Sequence, residues 1–306
     1  MMRLGTRKSP LALAQAEKVR QQLLQNEPDL AVEIVGITTH GDKIQDRPLT
    51  AIGGKGLFLK ELEEALLAGT IDIAVHSVKD VPAKLSDRFV MPTLLRRGSP
   101  LDAFVSLRFK KISDLPPGVR IGTSSPRRKA VLRGTFPHVA VTELRGNINT
   151  RLARLEEGRV DAMFIAAAGL SRLELDDRVS QLLPADVMLP AAGQGAIGVE
   201  CLAGAEDLIE RLAPLDDIDT HRCVDVERAD SRGLGGSCSL PLAAHAVAKG
   251  GLLLLKAMVG DPESGKLVFA EAEGRISDGR ELATQVVDEL LHHGASEILR
   301  RVKSID

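Results

Sequence analysis

The sequence predicts an α/β protein of three domains. Two similar lobes face a shared cleft, and a smaller α/β C-terminal domain carries an antiparallel sheet. Three observations predict this. Residues 71–75 form a β-branched, apolar run after Gly69, and it turns abruptly into His76, Ser77, Lys79 and Asp80 before Pro82. Two motifs occur twice: Arg3-Leu-Gly-Thr6 with Ser9-Pro10 returns as Arg120-Ile-Gly-Thr123 with Ser125-Pro126, and Gly69-Thr-Ile-Asp72 returns as Gly158-Arg-Val-Asp161. Residues 242–248, 252–259 and 267–275 then read as antiparallel strands before an amphipathic helix over 278–303 that breaks near Gly294.

Composition excludes several functions. The 306 residues are 44% hydrophobic and 27% charged with a formal net charge of −2, so no global basic field points to nucleic acid. There is no Trp or Tyr and only seven Phe, too few for base-stacking platforms. The N-terminus lacks an apolar signal core, and the later apolar run around 252–255 is too short to span a bilayer. A cytoplasmic monomer is expected, without nucleic-acid or membrane partners. The cysteines Cys201, Cys223 and Cys238 contain no Cys-x-x-Cys, and the seven His are scattered, so neither a disulfide framework nor a metal site is expected.

In the first lobe, Arg3-Leu-Gly-Thr6 ends a short strand. Ser9 caps a helix with Pro10 at its first position, and Ala12, Ala16, Val19 and Leu23 recur at helical spacing. Arg7 and Lys8 lie beside that helix N-terminus, a pairing that suits an anion. Residues 31–39 read as the next strand. Gly53-Gly-Lys-Gly56 leads into a helix and places Lys55 on a glycine turn, without Walker spacing. In an open α/β sheet the carboxyl ends of strands form the ligand crevice, which is where Ser77, Lys79 and Asp80 fall.

The second lobe echoes the first. Ser125-Pro126 starts a helix carrying Arg127, Arg128 and Lys129, and Arg145-Gly-Asn147 leads into a helix carrying Arg151. The motifs are 67 residues apart in the first lobe and 39 in the second (Gly5 to Asp72, Gly122 to Asp161), so the lobes are similar without being an exact repeat. Arg7, Lys55, Lys79, Arg127, Arg128, Arg145, Arg151 and Arg172 all fall at predicted strand ends or helix starts. Arginine is preferred where a carboxylate must be held bidentately, so the ligand is expected to carry several negative groups.

Leu189 to Glu200 includes Gln194 on a glycine-rich turn, and residues 196–201 form a strand crossing back to the first lobe. Residues 221–232 form a charged helix. Cys238 follows on a Gly/Ser loop, the setting of an accessible thiol that serves as nucleophile, covalent anchor or redox sensor.

Seven motifs in order resemble the porphobilinogen deaminase family nearly end to end. They are Thr6-Arg-Lys-Ser-Pro-Leu-Ala-Leu13, Gly53-Gly-Lys-Gly-Leu-Phe58, Ala74-Val-His-Ser-Val-Lys-Asp-Val-Pro82, Gly122-Thr-Ser-Ser-Pro-Arg-Arg128, Leu144-Arg-Gly-Asn147, Ala192-Gly-Gln-Gly195 and the Cys238 loop. The resemblance implies two lobes like type II periplasmic binding proteins, over 1–95 with 196–213 and over 96–195. It implies a third domain over 218–306, where Cys238 holds a dipyrromethane cofactor through a thioether. The implied activity is a transferase that joins four porphobilinogen molecules, with loss of ammonia, into hydroxymethylbilane.

By that resemblance Asp80 is the central catalytic group. Lys79, Ser77, Thr123, Ser125, Arg127, Arg128, Arg145 and Asn147 bind the cofactor, and Arg7, Ser9, Lys55, Arg151, Arg172 and Gln194 bind substrate. The chain departs from the common family pattern at Leu101, Pro126, Ser237 and Leu240, which puts loop geometry in question but removes no charged group. Two rival readings are an anion receptor without covalent chemistry and a thiol redox sensor on the same scaffold.

Overall fold

A computed structural model describes residues 1–43, 59–236 and 239–305. The first stretch holds β1 (Met2–Arg7), α1 (Pro10–Asn26), β2 (Val32–Ile37) and α2 (His40–Lys43). After it come α3 (Lys60–Leu67), β3 (Ile73–Ser77), β4 (Phe89–Leu94), β5 (Asp102–Val105), β6 (Arg120–Gly122), α4 (Pro126–Thr135), β7 (Ala140–Thr142) and α5 (Ile148–Glu156). Next are β8 (Ala162–Ala166), α6 (Ala167–Ser171), β9 (Gln181–Leu182), β10 (Ile197–Leu202), α7 (Glu206–Leu212) and α8 (Ile218–Gly233). The chain closes with β11 (Leu242–Lys249), β12 (Leu252–Gly260), β13 (Leu267–Arg275), α9 (Gly279–Leu290) and α10 (Ser296–Ile305).

Two sheets share one plan. The first has the order β2-β1-β3-β10-β4 and the second β7-β6-β8-β5-β9. In each, the first three strands are parallel and the fourth runs antiparallel to them. The repeated Gly-Thr has a packing cause. A Cβ on Gly5 would lie 2.3 Å from Ile71, and one on Gly122 would lie 2.5 Å from Leu144. Both strands must therefore end without a side chain where a neighbouring element crosses. β4 falls outside the sequence-predicted strands. Pro92 interrupts its pattern, which an edge strand tolerates because its outer N–H groups need no partner.

Helix starts are set locally. The Ser9 hydroxyl accepts from Ala12 N, that of Ser125 from Arg128 N, and Asn147 Oδ1 from Thr150 N. In α1 the buried face is Ala12, Gln15, Ala16, Val19 and Leu23, so one amide sits within an apolar stripe.

The two sheets are joined by two crossing chains that pair with each other. Leu95 N donates to Ile197 O at 3.0 Å and Gly98 N to Gly195 O at 3.1 Å. The third sheet, β11-β12-β13, packs one face on α8 and α9 through Leu253, Leu255, Val259, Val286 and Leu290. From the opposite face Met258 enters the core of the second sheet beside Phe104, Leu132 and Phe164. The C-terminal helix breaks where expected, with Gly294 at φ 97° between α9 and α10. No helix among the described residues is long and apolar enough to cross a membrane.

Candidate active site

The first lobe supplies a polar cavity at the carboxyl ends of β1 and β3. Arg7, Ser9, Gln15, His76, Ser77 and Asp80 line it with Leu11, Ala12, Leu59, Val75 and Val81. Asp80 ends a single 3₁₀ turn, Val78–Asp80, and its side chain is exposed. Gln15 is 2% exposed and its Nε2 lies 2.8 Å from Ser77 Oγ. Behind the cavity, His76 Nε2 meets Glu200 Oε2 at 2.9 Å, with both side chains buried.

The second lobe centres on a fully buried acid. Asp102 pairs with Arg127 (Nη2–Oδ2 2.8 Å) and with Arg128 (Nη2–Oδ1 2.5 Å). Arg127 Nη1 also donates to Leu189 O at 2.6 Å, and Arg128 Nη1 to Phe164 O at 2.8 Å. Gln194 bridges the lobes. Its Nε2 donates to Pro100 O (2.6 Å) and Asp102 Oδ1 (3.2 Å), while its Oε1 accepts from Lys79 Nζ at 3.4 Å. A Cβ on Gly193 would lie 3.3 Å from Lys79 N, so the turn before Gln194 presses on the Lys79 backbone.

Electrostatics show what the site lacks. Burial pushes the Asp102 carboxyl up, but Arg127 and Arg128 outweigh it and hold the group at about 2. Lys79 keeps some solvent contact, yet crowding by protein lowers it to about 8; Arg128 and Arg127 push the same way, and Asp80 and Asp102 oppose them. Burial lowers Arg151 to about 10, with Arg128 repelling it and Asp80 opposing, and burial alone lowers Arg172 to about 10. Burial is the main cause in each of these cations, and among the described residues Lys79 and Arg151 are also repelled by Arg128. A ligand bearing carboxylates would relieve that repulsion.

The other expected site residues divide. Arg145 Nε donates to Glu143 at 2.9 Å, Arg151 Nε to Gly146 O at 2.7 Å, and Asn147 caps α5, so these three gather at one helix start. Thr123 is 2% exposed and its hydroxyl accepts from Ser125 N at 3.1 Å. Arg172 departs from expectation. It lies after the end of α6, at neither a strand end nor a helix start, and donates to the crossover carbonyl of Gly195 at 2.5 Å. Lys55 and Cys238 lie outside the described residues. Gly236, two positions before Cys238, rests on the Asp80 loop: a Cβ there would lie 3.3 Å from that of Ala83.

Three contributors are absent from the sequence-derived set. Gln15 was signalled by an amide on the buried face of an amphipathic helix, and Asp102 by an acid opening an apolar strand. Glu227, which accepts from Gly193 N at 2.7 Å beside Gln194, had no such local signal.

Residues 2–210 match the family description "Porphobilinogen deaminase, dipyromethane cofactor binding domain". The chain belongs to the porphobilinogen deaminase family. Residues 221–292 match the description "Porphobilinogen deaminase, C-terminal domain". The porphobilinogen deaminase of Thiobacillus denitrificans is 49% identical over 296 residues, covering 97% of each chain. That of Neisseria meningitidis serogroup A is 46% identical over 299 residues, covering 98% of this chain and 96% of the relative. A putative methionine-binding lipoprotein from Bacillus subtilis overlaps loosely, at 12% identity and a TM-score of 0.45, over 70% of this chain and 89% of that chain.

Proposed function

We propose that this porphobilinogen deaminase family member is a hydroxymethylbilane synthase. It joins four porphobilinogen molecules head to tail, with loss of ammonia, on a dipyrromethane primer held by Cys238. The observation that carries the reading is the exposed carboxylate of Asp80, the one acid among the described residues lining a cavity that also presents Arg7, beside the Lys79–Gln194–Asp102 bridge. We divide the chain into a lobe of 1–95 with 196–213, a lobe of 96–195 and an anchoring domain of 218–306. The reading includes a cytoplasmic monomer acting without nucleic acid or membrane.

The residues present fit the cofactor. Each of its pyrrole rings bears an acetate and a propionate, and the crowded cations Lys79, Arg128 and Arg151 would be neutralised by such groups. Arg127, Arg128 and Arg145 would hold carboxylates, with Lys79 as a point charge. Ser77, Thr123, Ser125 and Asn147 would donate neutral hydrogen bonds. Ser9 and Ser125 accept their helix caps, which leaves each hydroxyl proton free to be donated. When bound, the cofactor supplies a nucleophilic pyrrole carbon. On the substrate side, Arg7, Ser9, Lys55, Arg151, Arg172 and Gln194 orient porphobilinogen. Loss of ammonia leaves a cationic azafulvene, and Asp80 accepts its pyrrole N–H and faces the developing charge. A fixed anion is needed there because the surrounding cations would otherwise oppose that charge.

Intact mass of the protein beside its Cys238→Ser variant tests this. An adduct of two linked pyrroles in the parent alone is expected, formed on adding porphobilinogen if absent at first. No adduct after that addition would overturn the reading. Asp80→Asn is expected to keep fold and adduct and lose most turnover; near-normal turnover would remove Asp80 from its role.

A further inference from the structure

We propose that Arg228 and Arg232 of α8 are positioning residues. They fix the Asp80 loop relative to the segment that leads to Cys238. The inference rests on the roles proposed above for Asp80 and Cys238.

Three consecutive carbonyls just after Asp80 converge on this helix. Arg228 Nη1 donates to Val81 O at 3.3 Å, and its Nη2 reaches Pro82 O at 2.8 Å and Ala83 O at 3.4 Å. Arg232 Nη1 donates to Ala83 O at 3.1 Å. The two arginines are four apart, so they share one face of the helix. Buried carbonyls outside a ladder need donors, and Val81 and Ala83 are only 4% and 6% exposed. The planar guanidinium of Arg228 presents its donors in a fixed fork to several acceptors, which an ammonium on a flexible stem does not.

The same helix holds the loop from the other side. Glu227, adjacent to Arg228, accepts from Gly193 N at 2.7 Å, and Gly193 presses on Val78 and on the Lys79 backbone. Beyond the helix, Gly236 rests on Ala83. The Asp80 loop and the approach to Cys238 therefore meet at one place, and α8 ties them together. A reaction on a tethered chain depends on the distance between tether and catalytic carboxylate, because small misplacements at the reacting atoms are costly in rate. Arg228 and Arg232 are not among the residues proposed above to bind substrate. Loss of the clamp should therefore lower kcat and leave KM in place.

The test is Arg228→Gln in the holoenzyme, with three readouts. The expected result is a kcat about tenfold lower, the scale of one lost charge-assisted hydrogen bond, and a KM for porphobilinogen within about twofold. Hydrogen exchange over residues 78–85 should quicken about tenfold. Arg228→Lys should recover part of both losses. Unchanged exchange over 78–85, or a lowered melting temperature with kcat intact, would overturn the proposal. Should Arg228→Gln not fold, Arg232→Gln removes a single bond and is read the same way, with smaller changes of the same sign. If the parent itself neither carries an adduct nor turns over porphobilinogen, the functional reading fails. The exchange comparison, which needs no turnover, then decides the clamp alone.

Discussion

The Glu227 carboxylate and the Arg97 guanidinium meet in a bidentate pair, Nη1–Oε1 2.7 Å and Nη2–Oε2 3.0 Å, across 130 residues of sequence. The pair joins the crossover to α8. The same carboxylate also accepts from Ala246 N at 2.8 Å in β11 and from Gly193 N in the second crossing chain. Arg97 in turn donates Nε to Gln194 O at 2.8 Å. One buried acid thus fixes the third sheet to both connections between the lobes.

Removing one partner leaves an uncompensated buried charge, which costs about 3–5 kcal/mol. Glu227→Ala and Arg97→Ala are each expected to lower denaturant stability by that order. The double variant should cost clearly less than the sum, since the second change removes the orphaned charge. Additive losses in a double-mutant cycle would show that the pair acts only through its separate contacts.

Asp230 lies one turn beyond Glu227 on the buried face of α8, and neither of its carboxyl oxygens has a hydrogen-bond partner among the described residues. Burial, with Glu227 adding, pushes it up to about 8. The folded value lies above the unfolded one, so the native state binds this proton more tightly. Its contribution to stability is full below about pH 4 and is lost as pH rises towards 8. Asp230→Leu is expected to abolish that decline and to raise the melting temperature at pH 8 more than at pH 5. Equal shifts at both values would rule out the buried acid as the cause.

Lys79 has the opposite sign. Its folded value of about 8 lies below the ordinary 10.5, so folding stability rises with pH between those values as the native ammonium is neutralised first. Ligand binding moves the other way, because the carboxylates need the ammonium. The cofactor's carboxylates raise the amine above about 8 in the holoenzyme, so the kcat/KM for porphobilinogen is expected to fall only above that pH, and Lys79→Arg should remove that limb. The kcat profile reports the bound complex, where ligand carboxylates favour the charged amine, so its limb should lie at higher pH. A limb that survives Lys79→Arg would assign the titration to another group.

The parts legible in sequence are those set by neighbours in the chain. Ser9, Ser125 and Asn147 announce their helices because capping is decided within three residues. The antiparallel strands and the break at Gly294 follow from short-range patterning in the same way. The parts missed are decided at long range. Asp102 is only an acid after a turn at Gly98–Pro100 until Arg128, 26 residues on, and Gln194, 92 residues on, close over it. Arg172 reads as a cleft cation, but its position is set by a crossover carbonyl that no local pattern predicts. The cations were legible as a set, whereas the acid that organises two of them was not.

Asp102→Asn separates charge from shape at that acid. An asparagine keeps the volume and an oxygen for Gln194, but it leaves Arg127 and Arg128 without their counter-charge. Because both are buried, stability should fall by about 3–5 kcal/mol. Asp102 also supports the charged form of Lys79, so its loss leaves Asp80 alone to oppose Arg128 and Arg127 at that amine. The alkaline limb of kcat/KM should therefore move to lower pH than in the parent, although Lys79 itself is unchanged. A stability loss with an unmoved limb would confine Asp102 to holding the two arginines. A moved limb would show that the buried acid in one lobe sets the charge of the amine in the other.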